Sequence, residues 1–362
     1  MKIGVPKEIK NNEYRVGLTP ESVSVIIKNN HEVFIQKNAG TEIGFTNEQY
    51  EEVGAIIIET AEELYKSSEL IVKVKEPVPE EFSYLNEKHT VFAYLHLAGD
   101  PKTGLELAST GITGIALETV TADDGSMPLL SPMSSIAGQL SVVVGSYHLL
   151  KPNKGMGTLI GAMDDVERRV VTVIGAGVAG TMAIEKAINN KADLKIIDLS
   201  QKRLDELRSI YGDKNVEYIL SSESSIEEAI TESDLVIGAV YVIGKQAPKV
   251  IKNSMLEKMK PGAVMVDISI DQGGCFESSK PTTHDNPTYE KNGIIHYCVT
   301  NMPGAVPLTA TQALNKATLP YILELANKGI DKTLAENKHL MNGLNIQAGE
   351  IIHPAIKEAL EN

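Results

Sequence analysis

Five positions in this chain of 362 residues, Arg15, Lys75, His96, Asp198 and Asp271, pair a reactive side chain with a place that could use it, beside a turn built of glycines. Gly175-x-Gly177-x-x-Gly180 follows the β-branched run Val170–Ile174 and opens a helix-compatible stretch. In that setting the first glycine makes a tight turn, the second lets backbone approach a pyrophosphate, and the third permits close helix–strand packing. The helix N-terminus then offers N–H groups to phosphates. Asp198 ends the next strand, LKIIDL, where a carboxylate accepts hydrogen bonds from an adenosine ribose and repels a 2′-phosphate. This favours NAD over NADP, although Arg203 lies nearby. Arg15 follows the first strand, Lys75 ends ELIVKVK and His96 ends VFAYLH. Arginine offers a fork for a carboxylate, lysine a point charge for a carbonyl oxygen or a second carboxylate contact, and histidine a proton carrier near neutral pH. Each alone has an ordinary structural explanation. Together they make a different case, since two of them terminate separate strands, where a parallel sheet presents ligands. Asp271 in DISIDQGG, and Asn301 and Met302 after the last strand, lie at the same edge of the glycine-bearing sheet.

These residues need two sheets to hold them. Around the glycines the pattern predicts strands at 170–174, 194–199, 216–220, 234–240, 263–269 and 294–299, with helices at 201–211, 224–232 and 247–259. Near-continuous apolar strands alternating with helices imply a parallel sheet covered on both faces. The first 130 or so residues repeat the alternation, with strands at 2–5, 32–36, 55–58, 70–74, 90–95 and 112–117 and helices near 20–29 and 101–109. Two long helices, 134–150 and 308–328, join the halves, the second with a kink expected at Pro320. The tail is too short for a domain and is expected to return to the first half. The expected fold is therefore α/β, with two doubly wound Rossmann-like domains and a cleft between them. Residues 1–133 with 305–362 would form a substrate and catalytic domain, and residues 134–304 an inserted nucleotide domain.

Composition narrows the class. A net charge of −14 opposes a basic nucleic-acid surface, and 42% hydrophobic with 23% charged residues is ordinary for a folded globular chain. Two cysteines make no disulfide framework. No run reaches the ~18 apolar residues of a membrane span, and no apolar leader follows the N-terminus. A cytoplasmic protein with small-molecule partners, and neither nucleic acid nor membrane, is expected.

PKEIKNNEYRVGLTP (6–20), VKVKEP (72–77), the strand end at His96, IGAGVAG (174–180), VDISIDQGG (266–274) and TNMPGAVP (300–307) resemble, in order and across nearly the whole chain, the alanine dehydrogenase family. The family also includes the nucleotide-binding subunit of transhydrogenase. The resemblance implies NAD-dependent conversion of L-alanine to pyruvate and ammonium, reversibly, by a homo-hexamer. It implies that Arg15 and Lys75 bind substrate and that His96 and Asp271 are catalytic. Beside the glycine turn (Gly175, Gly177, Gly180), it implies nucleotide contacts at Ser134, Val178, Ala179, Asp198, Arg203, Ser221, Val240, Tyr241, Ile268, Ser269, Ile270, Asp271, Val299, Thr300, Asn301 and Met302. Lys280 stands where some relatives have a nucleotide-contacting arginine, which keeps charge and loses the fork. Some relatives carry a Glu–His metal pair four residues apart on the late helix. Here Glu324 is followed by Lys328, so no metal is expected. The alternatives are a transhydrogenase subunit, a related amino-acid dehydrogenase, or a catalytically silent NAD-binding regulator.

Overall fold

The computed structural model describes residues 1–361 apart from 98, 162, 164 and 243–245. The chain divides into two compact units, Met1–Met133 with Gly304–Asn362, and Ser134–Pro303. In the first, strands β1 (Lys2–Val5), β2 (Glu32–Gln36), β3 (Ile56–Ile58), β4 (Leu70–Val72), β5 (Thr90–Ala93) and β6 (Thr113–Ala116) are parallel in the order β3-β2-β1-β4-β5-β6. The second unit contains β7 (Val170–Ile174), β8 (Asp193–Asp198), β9 (Val216–Leu220), β10 (Leu235–Gly238), β11 (Val264–Asp267), β12 (Thr288–Lys291) and β13 (Ile294–Tyr297). Its parallel strands run β9-β8-β7-β10-β11-β13. Both orders are the 3-2-1-4-5-6 of a doubly wound dinucleotide fold, reversing between the first and fourth strands.

Side-chain alternation explains why the second sheet is covered twice. Val171, Val173, Leu194, Ile196, Leu235, Ile237, Val264 and Val266 pack on one face. Ile174, Ile197, Val236 and Met265 pack on the other. A strand apolar at every position must bury both sides. Local signals start the helices: Thr19 accepts the Ser22 N–H ahead of Pro20, and Asp100 accepts the Thr103 N–H ahead of Pro101.

Each sheet has an antiparallel edge that the periodicity did not predict. β12 pairs with β13, while β14 (Leu344–Gln347) pairs with β6 and β15 (Glu350–Ile351) pairs with β14. The expected helix at 247–259 is absent. Ala247 and Val250 donate to the carbonyls of Gln272 and Cys275, and Ile251 accepts from Glu277, so this backbone spends its hydrogen bonds on a neighbouring segment. Pro248 also lacks an N–H to contribute. Only a 3₁₀ turn, Asn253–Lys258, remains. The late helix Pro307–Lys328 contains Pro320 in its interior.

Beneath the carboxyl end of β4 lies a fully buried ion cluster. Lys73 Nζ stands 3.3 Å from Glu8 and 3.0 Å from Glu81, and Tyr65 donates to the same Glu81 at 2.7 Å. Burial alone would lower the Lys73 pKa, but the two glutamates raise it above the ordinary value. Lys73→Ala strands two buried carboxylates and is expected to lower stability by about 3–5 kcal/mol. Urea unfolding of the variant measures this, and a loss under about 1 kcal/mol, the scale of an exposed pair, would contradict it.

Candidate active site

In the first unit, Arg15, Lys75 and His96 follow β1, β4 and β5, three adjacent strands flanking the reversal of strand order. Ligands of open α/β sheets bind at such a point. Arg15 is only 2% exposed. Its Nε and Nη2 donate to Glu13 Oε1 and Oε2 at 2.6 and 2.5 Å, and Nη1 lies 3.3 Å from Met133 Sδ. Burial would weaken its basicity, but the Glu13 carboxylate holds it above the usual value. Glu13 is in turn held below the ordinary carboxylate range, because the Arg15 bonds outweigh burial. Lys75 is half-buried, its backbone N–H directed at Glu8.

His96 is exposed and adopts a left-handed backbone, φ 49°. Such a conformation is uncommon for a residue with a Cβ. Glu118, just past β6, fixes it: Oε1 accepts the N–H groups of His96 at 2.6 Å and Leu95 at 3.1 Å. The ring lies over Gly99, where a Cβ would fall 2.0 Å from Nε2. Burial raises the Glu118 pKa, against the pull of these backbone donors.

In the second unit, Gly175 has φ +93°, and a Cβ there would meet the Ala239 carbonyl oxygen at 2.6 Å. A Cβ on Gly180 would sit 1.8 Å from the Gly175 carbonyl oxygen, whereas at Gly177 it would meet nothing within 4 Å. Gly177 caps the helix Val178–Asn189 without a side-chain bond, and the space above it is open. A recess of ≈ 420 Å³ there is lined by Ala176, Gly177, Val178, Thr181, Met182 and Arg203. This cradle fits a dinucleotide pyrophosphate. Asp198 Oδ2 accepts the Ala176 N–H at 2.7 Å and Oδ1 the Ser200 N–H at 2.8 Å, so the carboxylate is fixed against the glycine turn. Arg203 is committed to the Ala176 carbonyl, Thr181 and Glu206.

Several of the remaining expected contacts follow parallel strands of the same sheet. Ser221 donates its backbone N–H to the Asp198 carbonyl. Val240 and the exposed Tyr241 follow β10, while Ile268, Ser269, Ile270 and Asp271 lie on the 3₁₀ turn Ile268–Gln272 after β11 rather than on the strand expected to 269. Val299 and Met302 are buried beyond β13, and Asn301 between them is left-handed at φ 60°. Val178 is exposed at the helix start, Ser134 is half-buried and Lys280 is exposed. Glu324 pairs with Lys328 at 3.0 Å. Among the described residues no group of three or more His, Cys, Asp or Glu could hold a metal ion.

Asp198→Ala removes the fixed negative charge and leaves Arg203 in place. It is expected to raise the NADP/NAD ratio of kcat/KM by at least about tenfold, the effect of roughly 1.4 kcal/mol. A wild-type protein that already prefers NADP would refute the ribose assignment.

Glu13 and Glu118 were not anticipated. Their only sequence signals are an acid two residues before the loop arginine, and an acid following the strand beside the one that carries His96.

Comparison with known proteins finds similar chains over nearly the full length. The families described as "Alanine dehydrogenase/PNT, N-terminal domain" and "Alanine dehydrogenase/PNT, C-terminal domain" match residues 4–137 and 141–354. Alanine dehydrogenase of Halomonas elongata is 47% identical over 99% of this chain and 96% of its own length. That of Bacillus subtilis is 46% identical over 99% and 95%. A solved L-alanine dehydrogenase superposes with TM-score 0.95 at 45% identity, covering 100% of this chain and 99% of that one. A transhydrogenase from Sinorhizobium meliloti, 24% identical with TM-score 0.83 over 98% of this chain and 100% of its own, shares the fold. With both domain families matched in order and full-length relatives near half identical, the chain belongs to the alanine dehydrogenase/PNT family.

Proposed function

We infer that the protein is an NAD-dependent L-alanine dehydrogenase, converting L-alanine, NAD⁺ and water to pyruvate, ammonium, NADH and a proton, reversibly. The observation that carries it is that Arg15, Lys75 and His96 follow three neighbouring strands, β1, β4 and β5, a set that binding of a nucleotide alone does not need. The glycine turn of residues 175–180 and Asp198 hold the dinucleotide. Bound there, the nicotinamide supplies the acceptor for the hydride of the alanine Cα.

The chain's own residues do the rest. Arg15 binds the substrate carboxylate, with Glu13 already on its Nε–Nη2 edge. Lys75 steadies the oxygen that becomes the pyruvate carbonyl. The substrate ammonium first gives up a proton to solvent; loss of hydride from the neutral amine then leaves an iminium, which water attacks to form a carbinolamine, which then expels ammonia. His96 takes the proton from the attacking water and returns one to the departing nitrogen. Asp271 orients the water or exchanges the second proton. Rigid strand ends supply orientation, the main contribution of the fold.

Residues 1–133 with 305–362 are the substrate domain in this reading, and 134–304 the nucleotide domain. The enzyme is cytoplasmic, a reading that the two buried, unbridged cysteines support. It is a homo-hexamer, to which exposed Val143 and Tyr147, four apart on one helix, are suited as contact residues. Among the described residues no helix is long and apolar enough to cross a membrane.

Absorbance of NADH on adding L-alanine and NAD⁺ to pure protein tests the reading. A steady rise is expected. A flat trace with tight NADH binding would instead mean a silent nucleotide-binding regulator.

A further inference from the structure

We propose that Asp267 is the positioning residue for Asp271, holding the turn that presents it. Asp267 ends β11 and is 0% exposed. Asp271 stands exposed on the 3₁₀ turn Ile268–Gln272 that follows. The Asp267 carboxylate closes this turn from both ends. Oδ1 accepts the Ser269 N–H at 2.9 Å, at the start of the turn. Oδ2 accepts the Cys275 N–H at 2.8 Å, beyond its end, and the Ser279 hydroxyl at 2.5 Å. The loop is then tightened around these bonds. Gly273 and Gly274 donate to the carbonyls of Ile270 and Ser269. A Cβ on Gly274, at φ +79°, would come within 2.7 Å of Asp267 Oδ2. Ser269 Oγ donates to the Val240 carbonyl at 2.7 Å, tying the turn to the segment after β10.

Only an acceptor on both oxygens satisfies this set. An asparagine has the same shape, but its NH₂ must face either the Ser269 or the Cys275 backbone N–H, and neither can turn away. One end of the turn is then released. A shift of about 1 Å in a catalytic group can lower turnover about 10²-fold. Asp267 itself touches neither substrate nor nucleotide in this proposal, which rests on Asp271 being catalytic as read above.

The experiment is a double-mutant cycle on the full-length enzyme. Asp271→Asn alone tests the underlying reading, and normal turnover there would end both that reading and this proposal. Given an Asp271→Asn defect, Asp267→Asn is expected to lower kcat about 10²-fold in the wild-type background and to cause no further loss in the Asp271→Asn background. Residues that act as a unit are non-additive in this way. Val264→Ala, a buried change on the same strand, controls for stability: it should lower Tm and leave kcat unchanged. Undiminished kcat in Asp267→Asn, or a loss that multiplies with that of Asp271→Asn, would overturn the proposal. Should Asp267→Asn fail to fold, Ser279→Ala removes one bond to Oδ2. Its several-fold loss of kcat must likewise vanish in the Asp271→Asn background, and a loss that persists there would overturn the proposal.

Discussion

Turnover of L-alanine by His96→Ala is expected to fall about 10²–10⁴-fold at saturating NAD⁺, the scale of losing a general acid–base group. NADH binding is expected to stay unchanged, because the glycine turn and Asp198 belong to the other unit of the chain. The loss follows from proton bookkeeping. Water must lose a proton as it attacks the iminium, and nitrogen must gain one as it leaves. A single imidazole serves both events, since its ring nitrogen can accept a proton in one step and give it up in the next. The structure adds a requirement of position. His96 is held in a left-handed backbone by the Glu118 carboxylate, with its ring over Gly99. Gly99→Ala would place a methyl at 2.0 Å from Nε2, so the ring must move. That variant keeps the imidazole and loses its placement, and its turnover is expected to fall between wild type and His96→Ala. Steady-state rates with L-alanine, alongside NADH titrations, measure both. Near-normal turnover by His96→Ala would remove the histidine from the mechanism.

What could be read without the structure depended on whether a local pattern carried it. The strands β7, β8, β10 and β11 are nearly continuous apolar runs, so their burial in a two-faced sheet was legible. The glycine turn was legible because three glycines, a strand and a helix start are contiguous. Residues 247–259 misled for the opposite reason. They contain helix-compatible residues, yet their backbone pairs with Gln272–Glu277, a non-local choice that no window of sequence reveals. β14 and β15 were missed because two short strands in a tail carry too little pattern, and pairing with β6 decides them. The candidate site divides along the same line. Lys75 and His96 announced themselves as charges at strand ends, and Arg15 as a charge in the loop after the first strand. Glu13, Glu118 and Asp267 hold or flank such groups through hydrogen bonds whose partners only the fold brings together.

Arg15→Lys is expected to raise the KM for pyruvate about 10–10²-fold, the effect of losing one charge-assisted hydrogen bond worth roughly 1.5–3 kcal/mol. NADH affinity is expected to be preserved. The guanidinium has two jobs that a lysine cannot perform together. Its Nε–Nη2 edge grips both oxygens of Glu13, at 2.6 and 2.5 Å, and its planar fork leaves the Nη1 side pointing elsewhere in a fixed direction. A lysine ammonium is a point charge with no fork. Placed in this buried pocket it settles against Glu13, which is held below its ordinary pKa by the cation beside it. The buried pair is thus conserved in charge, and folding is expected to survive. Substrate loses a partner of defined direction, so the defect appears in KM for the keto acid. Arg15→Ala separates the two jobs: it strands the Glu13 carboxylate in a buried site and is expected to cost about 3–5 kcal/mol of stability as well. Pyruvate saturation curves, NADH titrations and urea unfolding on both variants distinguish the outcomes. An unchanged pyruvate KM in Arg15→Lys would make Arg15 the partner of Glu13 alone. An equal loss of pyruvate and NADH affinity would point to disturbed folding or a nucleotide role, because Arg15 and the glycine turn belong to different units of the chain.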